Sequence, residues 1–212
     1  MIAFFPNEVV AWGFCALLWA FTAATAYKDT LTAKIPNRWV VPGAILGLAF
    51  NILRSALLAS DNSPLWILPT GQIGYGIIDG LLFSLVGFLV AFAGMFIFWI
   101  LGLCGGGDVK LYAAVGVWLG WKYVGYVWLL SVFTLWLWLI ARVLARGLEG
   151  KRMKAPIETG KGLRLTYSLP IFLATIAVCL MCFKQELGIR GKPTPTAVAN
   201  SGGGDAPLAA TP

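Results

Sequence analysis

Long apolar runs, each cut short by a polar stretch, dominate the pattern along the chain. Their lengths predict membrane-spanning helices over residues 9–26, 39–58, 76–103, 109–121, 124–140 and 167–183. The third run is longer than a bilayer needs, which predicts tilt or a projecting end. The fourth is short for a span and fits only a thin or indented bilayer. Between the runs lie a short polar loop over 27–38, a turn-rich loop over 59–75 and a basic loop over 141–166. Residues 188–212 are Gly-, Pro- and Ala-rich without periodicity and are expected to be disordered. The expected organisation is one membrane-embedded domain, residues 1–187, followed by that tail.

Composition agrees with the pattern. The chain has 212 residues, 59% of them hydrophobic and only 12% charged, against about 25% charged in soluble domains. An all-α integral membrane protein, a bundle of six transmembrane helices, is therefore expected. The net charge of +7 does not point to nucleic acid. Seven basic residues, Arg142, Arg146, Lys151, Arg152, Lys154, Lys161 and Arg164, fall in a single loop. That is the signature of a cytoplasmic loop facing anionic lipid heads.

Charge also orients the bundle. Lys28, Lys34, Arg38 and Lys110 join the seven above on one side, whereas Lys122, Lys184, Arg190 and Lys192 lie on the other. Both termini are then outside the cytoplasm. Arg54, near the outer end of the second run, is expected to snorkel to the interface. Positive charge follows the first run instead of preceding it, which predicts an anchor and not a cleaved leader.

Candidate chemistry is sparse. With no histidine in the chain, His-based triads and His-ligated metals are excluded. Cys179 and Cys182 form a lone C-x-x-C inside an apolar run, read as two small residues on one helix face. The acids Glu8, Asp61, Asp79 and Glu186 fall on the outer side, Glu149 and Glu158 in the basic loop, and Asp205 in the tail. This leaves Asp29, after the first run, and Asp108, after the third, at the same face and on short loops. Asp108 ends the run Gly105-Gly106-Gly107-Asp108, in which the glycines let another backbone approach.

Two carboxylates sharing a site do not both ionise cheaply, so one keeps a proton while the other acts as a base. Such a pair activates water against an amide without a metal or cofactor. The plainer alternatives are a solvated N-cap at Asp108 and a loop acid at Asp29 paired with Lys28 or Lys34. Lys110 either tunes the pair's charge or anchors the chain at the interface. A different class, a small transporter or ion-coupled subunit using the same acids, would place acids across the membrane and show inverted repeats; neither is visible. A non-catalytic assembly subunit would tolerate loss of both aspartates.

Gly105-Gly106-Gly107-Asp108-Val109-Lys110-Leu111 contains G-x-G-D and resembles the second-aspartate motif of the type IV prepilin peptidases. Asp29 with Ile35-Pro36-Asn37 is similar to their first-aspartate motif, and Tyr167-Ser168-Leu169-Pro170 resembles their late proline-containing segment. Presenilin-like and signal-peptide-peptidase-like G-x-G-D enzymes carry their first aspartate in a Tyr-Asp helix motif instead.

The resemblance implies an intramembrane aspartic endopeptidase of the plasma membrane. It would remove the leader from prepilins and pseudopilins at the cytoplasmic face, for pilus assembly or secretion. Asp29 and Asp108 would be catalytic, with Ile35, Pro36, Asn37, Gly105, Gly106, Gly107 and Lys110 shaping the site. No cofactor or nucleic acid is implied; the expected partners are the apolar N-terminal helix of the substrate, membrane lipids and the pilus-assembly machinery. The larger bifunctional members add a region with paired C-x-x-C motifs linked to N-methylation. This chain lacks such pairs and resembles the short Flp, or tight-adherence, type, so methyltransferase activity is not expected.

Overall fold

The computed structural model describes residues 4–32, 35–102, 104–148 and 167–189. Those residues form five helices: α1 (Glu8–Thr32), α2 (Asn37–Ser60), α3 (Ile73–Ile100), α4 (Gly106–Leu148) and α5 (Ser168–Cys182). The helices α1, α2 and α3 are long and apolar enough to cross a membrane. Side chains are sorted as a lipid solvent would sort them. Ile77, Leu81, Leu85, Phe88, Phe92 and Phe96 of α3 are exposed, while Thr22, Asn51, Ser55, Ser84, Ser131 and Thr175 are buried between helices.

Helix α4 takes in both the fourth and the fifth apolar runs. It is interrupted only at Gly120, whose φ of 71° and ψ of 176° are open to glycine and strained for other residues. The turn expected around Lys122 is thus made by one residue, and Lys122 is already helical. The chain doubles back there. The Tyr112 hydroxyl donates to the Val124 carbonyl, and these residues would lie about 18 Å apart along a straight helix. The Phe83 ring sits where a Gly120 side chain would project.

Close approach of backbones joins α3 to its neighbours. A Cβ on Gly87 would collide with the Gly116 carbonyl, and one on Gly116 with the Gly87 carbonyl. One on Gly80 would lie 2.5 Å from the Asn51 carbonyl of α2. The Asn51 amide then spans three elements, donating to Ser84 Oγ (3.1 Å), Val117 O (2.7 Å) and Trp118 O (3.0 Å). The core between the helices is aromatic and aliphatic, built around Phe14, Leu18, Leu111, Val115, Trp118 and Ile171. Trp118 also donates to the Gly43 carbonyl at 2.9 Å.

Two ends of the bundle differ in chemistry. At one, Arg54 is 3% exposed, so it does not snorkel as expected. Its guanidinium lies over Phe4 and Phe83, 3.9 and 4.6 Å from the ring centroids. It turns inward because these two rings enclose it while the Asp79 and Glu186 charges lie within electrostatic reach. Asp79 accepts the backbone N–H groups of Trp66, Ile67 and Leu68 at 3.1, 2.8 and 3.2 Å, which closes the 59–75 loop. Glu186 accepts the Phe4 N–H, bringing the segment after α5 against the start of the chain. The other end holds Asp29 and Asp108.

Two boundaries depart from expectation for a shared reason. Helix α1 continues to Thr32 through what reads as a polar loop, and α4 continues to Leu148 through the start of the basic loop. Neither stretch contains a proline or glycine strong enough to stop a helix earlier, and polarity alone does not break one. In α1 the Thr30 and Thr32 hydroxyls fold back onto the Tyr27 and Lys28 carbonyls at 2.7 and 2.9 Å. The rest of the basic loop, residues 149–166, and the tail from residue 190 lie outside the described residues.

Candidate active site

Asp29 sits in the last turn of α1 and not on a loop, and it is 8% exposed. Its Oδ2 accepts a 2.7 Å hydrogen bond from Ser168 Oγ, in the first turn of α5. Asp108 sits in the first turn of α4. The glycine run is therefore partly helical: Gly106 and Gly107 open α4, and Gly105 precedes it.

The opening of α4 is a reciprocal cap. The Asp108 N–H donates to the Gly105 carbonyl at 3.0 Å, and the Gly105 N–H donates to Asp108 Oδ2 at 3.1 Å. A carboxylate three residues past the cap is placed to bond back in this way, where the helix dipole also favours negative charge. One carboxylate oxygen is held by its own helix start.

Asp108 is partly buried, just ahead of the apolar stretch that begins at Val109. Burial pushes its carboxyl up to about 6; the Gly105 N–H opposes that rise and the nearby Asp29 charge adds to it. The two acids isolated by topology in the sequence are thus electrostatic neighbours.

The first motif packs onto the second. Ile35 lies against Gly107, where a Cβ would stand 3.3 Å from the Ile35 Cβ. Pro36 is the extended residue that caps α2, with φ −75° and ψ 139°, and Asn37 begins that helix. Lys110 Nζ donates to Asn37 Oδ1 at 3.1 Å. Lys110 therefore ties α4 to the start of α2. Gly106 faces the Trp99 indole near the end of α3, with a Cβ position 3.6 Å from Nε1. All the residues singled out in the sequence lie at this end: Asp29, Ile35, Pro36, Asn37, Gly105, Gly106, Gly107, Asp108 and Lys110.

Two further residues belong to the same cluster. Ser168 holds Asp29, and Tyr167 interacts electrostatically with Asp108 and Cys104. Tyr167 OH lies 3.3 Å from Ser131 Oγ of α4, fixing the entry to α5. Their only sequence signal is the short Tyr167-Ser168-Leu169-Pro170 segment, too brief to assign roles from spacing.

Chemically, the arrangement provides two carboxylates, each with one oxygen engaged by the protein. A glycine-opened helix start lies beside them. A family model described as the type IV leader peptidase family matches residues 15–140, a span that includes both aspartates and stops short of Tyr167. No curated protein and no solved structure matches the chain.

Proposed function

The chain belongs to the type IV leader peptidase family, and on that footing we propose that it is an aspartic endopeptidase whose reacting groups are Asp29 and Asp108. The observation that supports the reading is the packing of the two aspartate motifs on each other, with Ile35 against Gly107 and Lys110 Nζ donating to Asn37 Oδ1 at 3.1 Å.

The proposed cycle starts from the singly protonated pair, with the proton on Asp108, whose carboxyl burial pushes up to about 6, a form that gains population as the pH falls towards that value. Asp29 takes a proton from a water held between the two. The hydroxide adds to the scissile carbonyl carbon while Asp108 protonates the carbonyl oxygen. The tetrahedral diol collapses as Asp29 gives its proton to the amide nitrogen, which leaves as the amine, while Asp108 takes the proton of a diol hydroxyl. Asp108 is then protonated and Asp29 charged, as at the start.

The proposed substrate is a Flp-type prepilin or pseudopilin: a short basic leader followed by an apolar helix. Its helix lies in the bilayer against the exposed apolar faces of the bundle. Its leader junction reaches the cytoplasmic face of the plasma membrane, beside Gly105 to Gly107. An interfacial site suits this chemistry, because the amide needs water while the helix needs lipid.

The decisive assay is co-expression with a prepilin. Asp29→Asn and Asp108→Asn should each abolish leader removal while the protein still accumulates in the membrane. Normal processing by either variant would overturn the reading and leave a non-catalytic assembly role.

A further inference from the structure

We propose that Ser168 is a positioning residue for this peptidase, holding the Asp29 carboxylate in its reactive orientation from a different helix. The proposal rests on the reading of Asp29 and Asp108 as the reacting pair. It concerns a residue beyond the span matched by the family.

An aspartate at the end of a helix does not orient itself. The torsion that turns its carboxylate plane is broad and roughly two-fold. Asp108 escapes this through its own backbone, because the Gly105 N–H pins Oδ2. Asp29 lies at the C-terminal end of α1, where the unpaired backbone groups are carbonyls and offer it no donor. Its Oδ2 is pinned instead by Ser168 Oγ at 2.7 Å, from a residue with no exposed surface. Among the described residues each carboxylate thus has Oδ2 held, and in this reading Oδ1 serves water and substrate.

Ser168 is suited to this and to little else. A serine at a helix start ordinarily caps its own helix, yet the cap position of α5 is Tyr167 and no side-chain cap bond forms. The Ser168 hydroxyl has one proton to donate, and it goes to Asp29. The donor is itself fixed from behind. Tyr167 meets Ser131, whose hydroxyl donates to the Trp128 carbonyl at 2.9 Å. The line Trp128–Ser131–Tyr167–Ser168–Asp29 therefore references the α1 carboxylate to α4, the helix that carries Asp108.

The test uses the full chain reconstituted in phosphatidylethanolamine–phosphatidylglycerol vesicles. The substrate is a synthetic peptide with a basic leader, a glycine and an apolar helix of about 20 residues. Ser168→Ala should lower kcat roughly 10- to 100-fold, as misplacement of a reacting group does, and leave KM within about two-fold. Ser168→Thr, which keeps the hydroxyl, should recover most of the loss. A purely structural role would lower the amount of folded protein and leave kcat per folded molecule unchanged.

A Ser168→Ala enzyme with wild-type kcat, or a loss confined to KM, overturns the proposal while the dyad stands. If Ser168→Ala does not accumulate, Ser168→Cys is measured against Ser168→Thr. The weak thiol donor should be the slower of the two, and equal rates overturn the proposal. If the wild-type chain does not cleave at all, the aspartic-peptidase reading fails and Ser168 falls with it. A cleaving wild type beside an inert Asp29→Asn separates the two failures.

Discussion

Asp108 carries a carboxyl whose titration has a consequence for folding as well as for catalysis. A carboxyl raised above its ordinary value weakens the folded state wherever it must ionise. The penalty is full above about 6 and absent below the ordinary 3.8. Asp108→Asn should therefore be more thermally stable than wild type in detergent at about pH 8, by at most about 3 kcal/mol. The gain should shrink steadily as the pH falls from about 6 to 4. A melting series across that range checks the sign, and a gain that grew on acidification would contradict the burial of Asp108. The Asn37–Lys110 bond behaves differently. It is exposed, so Asn37→Leu should cost at most about 1 kcal/mol and accumulate normally. Processing in the prepilin assay should nevertheless fall several-fold, because the two motifs would no longer be registered to each other.

At the scale of elements, the apolar runs were legible because lipid imposes a length on them: 39–58 became Asn37–Ser60, and 167–183 became Ser168–Cys182. The same logic misjudged the ends. Tyr27 to Thr32 is polar without a breaker, so a loop was expected where α1 continues, and Asp29 gained a rigid helical base. The hairpin in α4 was legible in outline, but its turn falls at Gly120 and not at the charged Lys122, because the left-handed φ needs glycine more than it needs polarity. Of the candidate site, Asp29, Asp108 and the Ile35-Pro36-Asn37 segment could be picked out by motif, but not the contact that Ile35 makes with Gly107. The Ser168 bond could not, since one hydroxyl at a span's start has no pattern around it. The glycine contacts between α3 and α4 yield a direct test. Gly116→Leu sets a side chain against the Gly87 carbonyl and should sharply reduce membrane accumulation on an immunoblot. Gly94→Ala, where a Cβ meets nothing within 4 Å, should leave accumulation unchanged.

Across the whole molecule the two carboxylates have unequal support. Asp108 belongs to α4, which packs extensively on α3; Asp29 belongs to α1, which rests mainly on α5 and touches α4 little. The α1–α5 seam is lined by small and polar groups, including Thr22 and Thr175, whose hydroxyls lie 3.4 Å apart in a wholly buried contact. Thr175→Leu should overfill that seam at a cost of about 1–3 kcal/mol and reduce processing at least several-fold. Thr175→Ser should remain close to wild type. Thr22 is about two helical turns, roughly 10 Å, from Asp29, so a kinetic loss in a protein that still accumulates would show the seam acting on the site from a distance.

The sparse contact between α1 and α4 also changes how precision is distributed in the molecule. The gap between the reacting oxygens is not gauged directly; it is transferred from α4 to α5 and from α5 to α1, and small errors at successive joints accumulate. Apart from Ser168, whose hydroxyl is itself used, residues lining those joints should therefore behave as calibration points, intolerant of changes in volume however far they stand from the scissile bond.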